Sequence, residues 1–425
     1  MQKGPRVACV FICILTWLQP GLVWSQSRSS GRDLTVSGDF EGGCAQVESI
    51  DQGTRTIRFK PETYPGQGWA YWWYMRVDGI RPGETIALDA GGKHGRFAHP
   101  EQAAFSLDGK TWKQTPRGER VKERIVYRVK VDSDKAWFAW GPPFLPSDAR
   151  ELVERLAAAH PEAEAFELCE SREGRQVPGL RLSGQTETEA QRYGVWIQAR
   201  QHAWECGASW VARGLAEWLV SDDPRAAALR ARADVTVIPL MDVDSVAMGA
   251  GGKMQKPHDH NRDWTKSQHW PEVRAAMAGI ARLHKEIGLD LFVDLHSPGM
   301  YNPETYYLTS PGSKRSEEGR RNLARFLDAS KAEMTGPLEL REEQQVAGPR
   351  YTKDWRAMSQ NWVTAHTSGR ALAFTLEAAW NNAKSTTDGY MALGRQLGLA
   401  MERYFRENPR NSVSAEESGE LWKKR

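Results

Sequence analysis

Residues 193–221 read "YGVWIQARQHAWECGASWVARGLAEWLVS". Tyr193–Ala199 is an apolar run of strand length, and Ala208–Ser221 repeats apolar residues at helical spacing. Between them His202 and Glu205 stand three apart. An imidazole and a carboxylate that close together either do chemistry or cap the following helix. The strand–loop–helix unit recurs downstream. "ADVTVIPLM" (233–241) leads through a long loop to "PEVRAAMAGIARLHKEIG" (271–288). "LDLFVDLHS" (289–297) precedes "SEEGRRNLARFLDASKAEM" (316–334), and "RALAFTLEAAW" (370–380) precedes "GYMALGRQLGLAMERYF" (389–405). This alternation predicts an α/β fold with a mixed, mostly parallel sheet flanked by helices. No internal repeat is visible.

Sheets of this kind bind ligands outside the carboxyl ends of their strands. After the first strand come His202 and Glu205. After the second come Asp242 and Asp244, then a glycine-rich loop, "GAGGKM" (249–254), that runs on to "HDHNRDW" (258–264). The third strand ends in Asp294 and His296, and the fourth carries Glu377. Polar groups from four separated segments are expected to converge on one crevice.

Upstream the pattern changes. Residues 38–142 hold short alternating runs, among them "TRTIRFK", "WAYWWYMRV", "ETIALDA", "RIVYRVKV" and "KAWFAW", broken by Gly, Pro and Asp turns. They predict an all-β sandwich domain preceding the α/β domain, which is expected over 143–407. The aromatic run Trp69–Tyr74 reads as core and inter-domain packing rather than as a sugar-binding face. "GPPFLPSDAR" (141–150) is a proline-rich junction leading into a helix. Residues 26–37 are expected to be loose, and 408–425 a polar tail.

The first 25 residues read as a secretory signal. Lys3 and Arg6 form a basic start, Val7–Leu18 an apolar run, and a cut falls near Ser25/Gln26. The run is short for a membrane span, although an uncleaved anchor is the alternative. The expected location is secreted or periplasmic, with no stable membrane insertion after cleavage. Cys9 and Cys13 would leave with the signal. Cys44, Cys169 and Cys206 remain, without CxxC spacing, which argues against a disulfide framework or a cysteine-bound metal. The formal net charge of +3 over 425 residues, with no basic stripe interleaved with aromatics, does not suggest a nucleic-acid partner.

His202, Glu205 and His296 together form a known catalytic zinc set that leaves a fourth position for water. The competing reading makes His202–Glu205 a helix N-terminus and His296 a satisfied core histidine. Glu377 lies in an otherwise apolar strand, where a carboxylate needs a compensating reason. There is no HExxH, GxSxG or PCxxC. "GAGGKM" lacks the serine or threonine and the glycine spacing of a phosphate loop, and reads as a flexible loop entering a site.

Over roughly residues 40–405 the chain resembles the M14 zinc carboxypeptidases, in the branch that is similar to cytosolic carboxypeptidases and has an N-terminal β-sandwich. The likeness rests on "RQHAWE", "MDVDSV" where the family has NPDG-V, "DHNRDW", "DLHS" and "FTLEAAW", in the family's order. It implies one Zn²⁺ per chain, bound by His202, Glu205 and His296. It implies that Asp259 orients His202, that Asn261 and Arg262 hold the terminal carboxylate of a peptide or peptide-like substrate, and that Glu377 is the general base and acid. Two departures stand out. The family's carbonyl-polarising arginine has no clear counterpart, and Lys253 falls within one residue of its place. The family's mobile tyrosine is not clearly placed either; Tyr351 is the nearest candidate, with ordinary packing as its alternative. His258 and His260 read as loop residues and not as ligands. The resemblance implies a zinc metallocarboxypeptidase, the alternatives being an N-acyl-amino-acid amidohydrolase and a non-catalytic binding protein.

Overall fold

The computed structural model describes residues 32–184, 192–299, 303–367 and 369–409. The expected signal segment lies outside them, as does nearly all of the expected polar tail. Among the described residues no helix is long and apolar enough to cross a membrane.

The N-terminal part is built of two five-stranded sheets. One runs in the order Thr35–Ser37, Tyr74–Asp78, Lys135–Ala139, Ala104–Ser106, Lys113–Gln114. The other runs Gln46–Asp51, Thr56–Lys60, Glu84–Ala90, Arg124–Val131, Glu119–Val121. Period-two alternation builds them: in Arg124–Val131 the buried residues are Ile125, Tyr127, Val129 and Val131. Two expectations need correction. Thr35–Ser37, within the stretch expected to be loose, is a strand paired to Tyr74–Asp78. The strand expected over 69–77 begins only at Tyr74. Tyr71, Trp72 and Trp73 before it are buried, because bulky rings here pack between layers instead of alternating across a pleat.

The rest is an eight-stranded mixed sheet covered by helices. Its order is Ala163–Glu170, Gln176–Ser183, Ala233–Ile238, Tyr193–Ala199, Leu289–His296, Leu372–Glu377, Tyr306–Thr309, Gln345–Val346. The four central strands are mutually parallel. Tyr193–Ala199 is buried at every position, as a central strand with helices on both faces must be. The register sets the site. His296 lies opposite Glu377 and Asp294 opposite Thr375, so His296, Asp294 and Glu377 share one face at the carboxyl ends of adjacent strands. A one-residue slip would turn them all away.

The two parts meet through a cluster of three indoles. Trp140, at the end of the N-terminal sheets, packs on Trp204 at 5.3 Å and Trp380 at 4.7 Å between ring centres, and its N–H donates to Ala98 O. Trp204 lies between His202 and Glu205, and Trp380 lies three residues after Glu377. Trp140 is 2% exposed. Trp140→Ala is therefore expected to destabilise the protein by about 3–5 kcal/mol, the usual range for emptying a buried aromatic site. Chemical denaturation checks this, and a loss below about 1 kcal/mol would mean that the indole is not a structural joint.

Candidate metal and substrate site

The chain turns sharply after Tyr193–Ala199. Arg200 sits at φ +66° and is buried, its guanidinium donating to Ala203 O (2.7 Å), Phe144 O (3.3 Å) and Ser209 Oγ (3.2 Å). These bonds hold the short loop that carries His202. Glu205 is the N-cap residue of the helix Cys206–Leu219, yet its carboxylate makes no cap hydrogen bond. The helix-capping alternative fails on that point. Instead, His202 Nδ1 lies 2.8 Å from Glu205 Oε1, and His296 Nδ1 lies 2.7 Å from Glu205 Oε2. Ser297 N–H donates to Glu205 Oε2 at 3.2 Å.

The outer ring nitrogens face aspartates. His202 Nε2 lies 3.4 Å from Asp259 Oδ1, and His296 Nε2 lies 3.1 Å from Asp294 Oδ2. Asp294 is a hub: it also accepts from Gln201 Nε2 and Ser359 Oγ, each at 2.5 Å. Sequence reading placed it beside His296 at the strand end but not as a hub, because these partners come from segments 93 and 65 residues away. Burial alone would raise the Glu205 carboxyl, but the two imidazoles hold it well below the usual carboxylate range. Two imidazoles whose outer nitrogens lie close to aspartates turn their inner nitrogens onto a buried carboxylate. Such a cluster demands positive charge at its centre, from protons or from a metal ion. The three ligand atoms lie within 4.8 Å of one another, and among the described residues this is the one such group able to hold a metal. The donor set, two imidazole nitrogens and a carboxylate, suits zinc.

Glu377 is buried at the end of its strand, and its Oε2 has no hydrogen-bond partner among the described residues. Burial pushes its carboxyl up to about 7; Glu205 and Asp294 add to this, while His296 and Lys253 oppose it. Lys253 Nζ stands 3.3 Å from His202 Nε2. Burial lowers its ammonium's pKa, with Asp259, Arg262, Glu205 and Glu377 all within electrostatic reach. Asn261 Oδ1 accepts from Ser359 N–H at 2.9 Å, and its Nδ2 lies 3.2 Å from His296 Nε2. Arg262 donates to Asn261 O at 2.7 Å. Tyr351 is 43% exposed, at the edge of the same group, within electrostatic reach of Glu377 and Arg262.

Some expected groups lie elsewhere. Asp242 Oδ1 caps the helix Val243–Met248 through Ser245 N–H (3.0 Å), and Asp244 pairs with Arg175 at 2.8 Å. An acid after a strand often serves the next helix instead of the crevice, and that is the use of Asp242 here. His260 lies between Asp242 (3.7 Å) and Glu272 (3.5 Å) and stacks on Trp270. Burial would lower it, but those two acids raise it to about 9. His258 Nε2 lies 2.5 Å from Asp263 Oδ1. The three described cysteines, Cys44, Cys169 and Cys206, are free.

A histidine–glutamate–histidine group beside a buried carboxylate, one oxygen of which has no partner among the described residues, is the equipment of a metal-dependent hydrolase. The chain belongs to the zinc carboxypeptidase family: the family's model, Peptidase_M14, matches residues 149–398. Members are zinc metallopeptidases that use one zinc ion. Human cytosolic carboxypeptidase 1 is 29% identical over 235 residues, which are 45% of this chain and 19% of that protein. The chain thus spans about a fifth of that relative's length. The fold is shared with a metallo-carboxypeptidase of Burkholderia cenocepacia, at TM-score 0.76 and 23% identity, over 88% of this chain and 99% of the other. It is also shared with a metallo-carboxypeptidase of Pseudomonas aeruginosa, solved in complex with (2-guanidinoethylmercapto)succinic acid, at TM-score 0.73 and 21% identity, over 88% and 99%.

Purified protein is expected to carry one zinc per chain. His296→Ala is expected to weaken zinc binding at least about 100-fold, beyond the loss typical of an outer-sphere partner. Competition against a chromophoric chelator measures this, and an unchanged affinity would exclude His296 as a ligand.

Proposed function

We propose that the protein is an exported zinc metallocarboxypeptidase that removes the C-terminal residue of peptides or peptide-like chains. His202, Glu205 and His296 hold the metal, Glu377 is the general base and acid, and Arg262 with Asn261 receives the substrate's terminal carboxylate. Zinc, when bound, supplies an acidified water and a Lewis acid for the scissile carbonyl.

One observation carries this reading. Among the described residues Arg262 has no ion pair, while the neighbouring Asp263 is already satisfied. Asp263 receives His258, His269 N–H and Trp270 N–H. A guanidinium beside the metal group with no carboxylate partner is a receptor for one. A free chain end supplies that carboxylate, which orients the last peptide bond toward Glu377.

Glu377 takes a proton from the attacking water and returns it to the leaving amine. A carboxyl raised by burial suits both transfers, because its basicity lies nearer the working pH. Lys253 supplies the charge that answers the negative oxygen developing on the carbonyl. For His202 to bind metal through Nδ1, its Nε2 must carry the proton, with Asp259 as acceptor. The Lys253 ammonium then donates nothing to that ring, and its N–H bonds are left for the substrate. Tyr351, at the edge of the group, contacts the substrate from the solvent side. Export rests on the N-terminal signal, and a mature chain that begins near Gln26 outside the cytoplasm checks it.

Paired substrates test the proposal. Arg262→Ala should lose about 2–5 kcal/mol of transition-state stabilisation with a free-acid peptide, the range for breaking a buried charge pair. It should lose much less with the same peptide amidated. Glu377→Gln should retain zinc and slow both substrates at least about 100-fold. Equal slowing of acid and amide by Arg262→Ala would remove the terminal carboxylate from this residue's role.

A further inference from the structure

The loop that carries Lys253 is held by both halves of the molecule. Contrary to the flexible loop expected from its glycines, Gly249–Lys253 runs between two backbones. On one side Trp204 N–H donates to Gly251 O at 3.0 Å. On the other, residues 66–69 of the N-terminal part lie against it. Trp69 N–H donates to Lys253 O at 2.9 Å, Gly252 N–H to Gln67 O at 3.0 Å, and Lys256 N–H to Gly66 O at 2.7 Å. The approach leaves no room for side chains. A Cβ on Gly68, which has φ +84°, would lie 2.2 Å from Lys253 O, and one on Gly251 would lie 1.8 Å from Trp69 O.

A lysine is a point charge on a flexible four-carbon stem. Holding its ammonium against one edge of His202 requires a fixed base, and a misplacement of about 1 Å in such a group can cost about 100-fold in rate. We infer that residues 66–69 are a positioning element for Lys253, so that catalytic competence is shared between the N-terminal part and the zinc-binding part. Gly68 and Gly251 are positioning residues here: they touch no substrate and act by letting the two backbones close. The inference rests on the role proposed above for Lys253.

A double-mutant cycle tests it on the full-length, zinc-loaded enzyme. The parent, Gly68→Ala, Lys253→Met and the double variant are compared for zinc content, kcat and KM. Gly68→Ala is expected to keep one zinc per chain and a KM within about twofold, while kcat falls at least about tenfold. In the Lys253→Met background the same change should alter kcat by less than about twofold. Equal losses in both backgrounds, or an undiminished kcat in Gly68→Ala alone, would overturn the inference. If Lys253→Met itself keeps the parent kcat, the reading of Lys253 fails; if it is slow while Gly68→Ala is not, only the positioning element fails. Amide exchange on the parent enzyme needs no variant to fold. The amides of Trp69, Gly252 and Lys256 should be protected, and free exchange at all three would also overturn the inference.

Discussion

The Glu205 carboxylate, buried between two imidazoles, is the constraint on which the rest of the structure depends. A buried carboxylate is costly unless positive charge meets it, and His202 from its own loop and His296 from 91 residues further along the chain bring that charge, or a metal ion, into place. Their approach fixes the strand register: His296 must end one strand level with Glu377 on the next, and Asp294 must fall on the same face. Asp294 then collects Gln201 and Ser359, and Ser359 in turn holds Asn261. One buried charge thus orders four loops that have little contact in sequence.

A second layer works through the N-terminal sheets. The Trp140–Trp204–Trp380 cluster ties them to the loop containing Glu205 and to the chain just beyond Glu377. The backbone bonds of residues 66–69 tie them to the Lys253 loop. Apolar packing and main-chain pairing therefore reach the same site from the same side. The aromatic run at 69–74 divides its rings between this contact, where Tyr71 packs on Trp204, and the N-terminal core, where Trp73 packs on Phe59 and Tyr127, in keeping with its reading as packing.

The central strands were legible in the sequence because each is a predominantly apolar run between polar loops, as strands buried on both faces tend to be. The edge strands were not. Ala163–Glu170 alternates poorly, with no fully buried position, and Gln345–Val346 is two residues long. The candidate metal group and Glu377 were legible because His202, Glu205, His296 and Glu377 each follow or end a recognisable strand. Asp242 and Asp244 looked equivalent by that criterion, yet they serve a helix cap and a surface ion pair. Type and position do not distinguish an acid that faces the crevice from one that faces a backbone N–H. The Asp294 hub and the pinning of the Lys253 loop depend on tertiary contacts between distant segments, which no local pattern encodes.

The central claim is that a metal-centred site reads and removes the last residue of a chain. Its most direct test is mass spectrometry of a peptide of mixed sequence, with a free C-terminus, incubated with the zinc-loaded enzyme. The account predicts a ladder of products shortened one residue at a time from the C-terminus, abolished by a chelator and restored by zinc. Cleavage at internal bonds, or a ladder that persists in chelator, would contradict it.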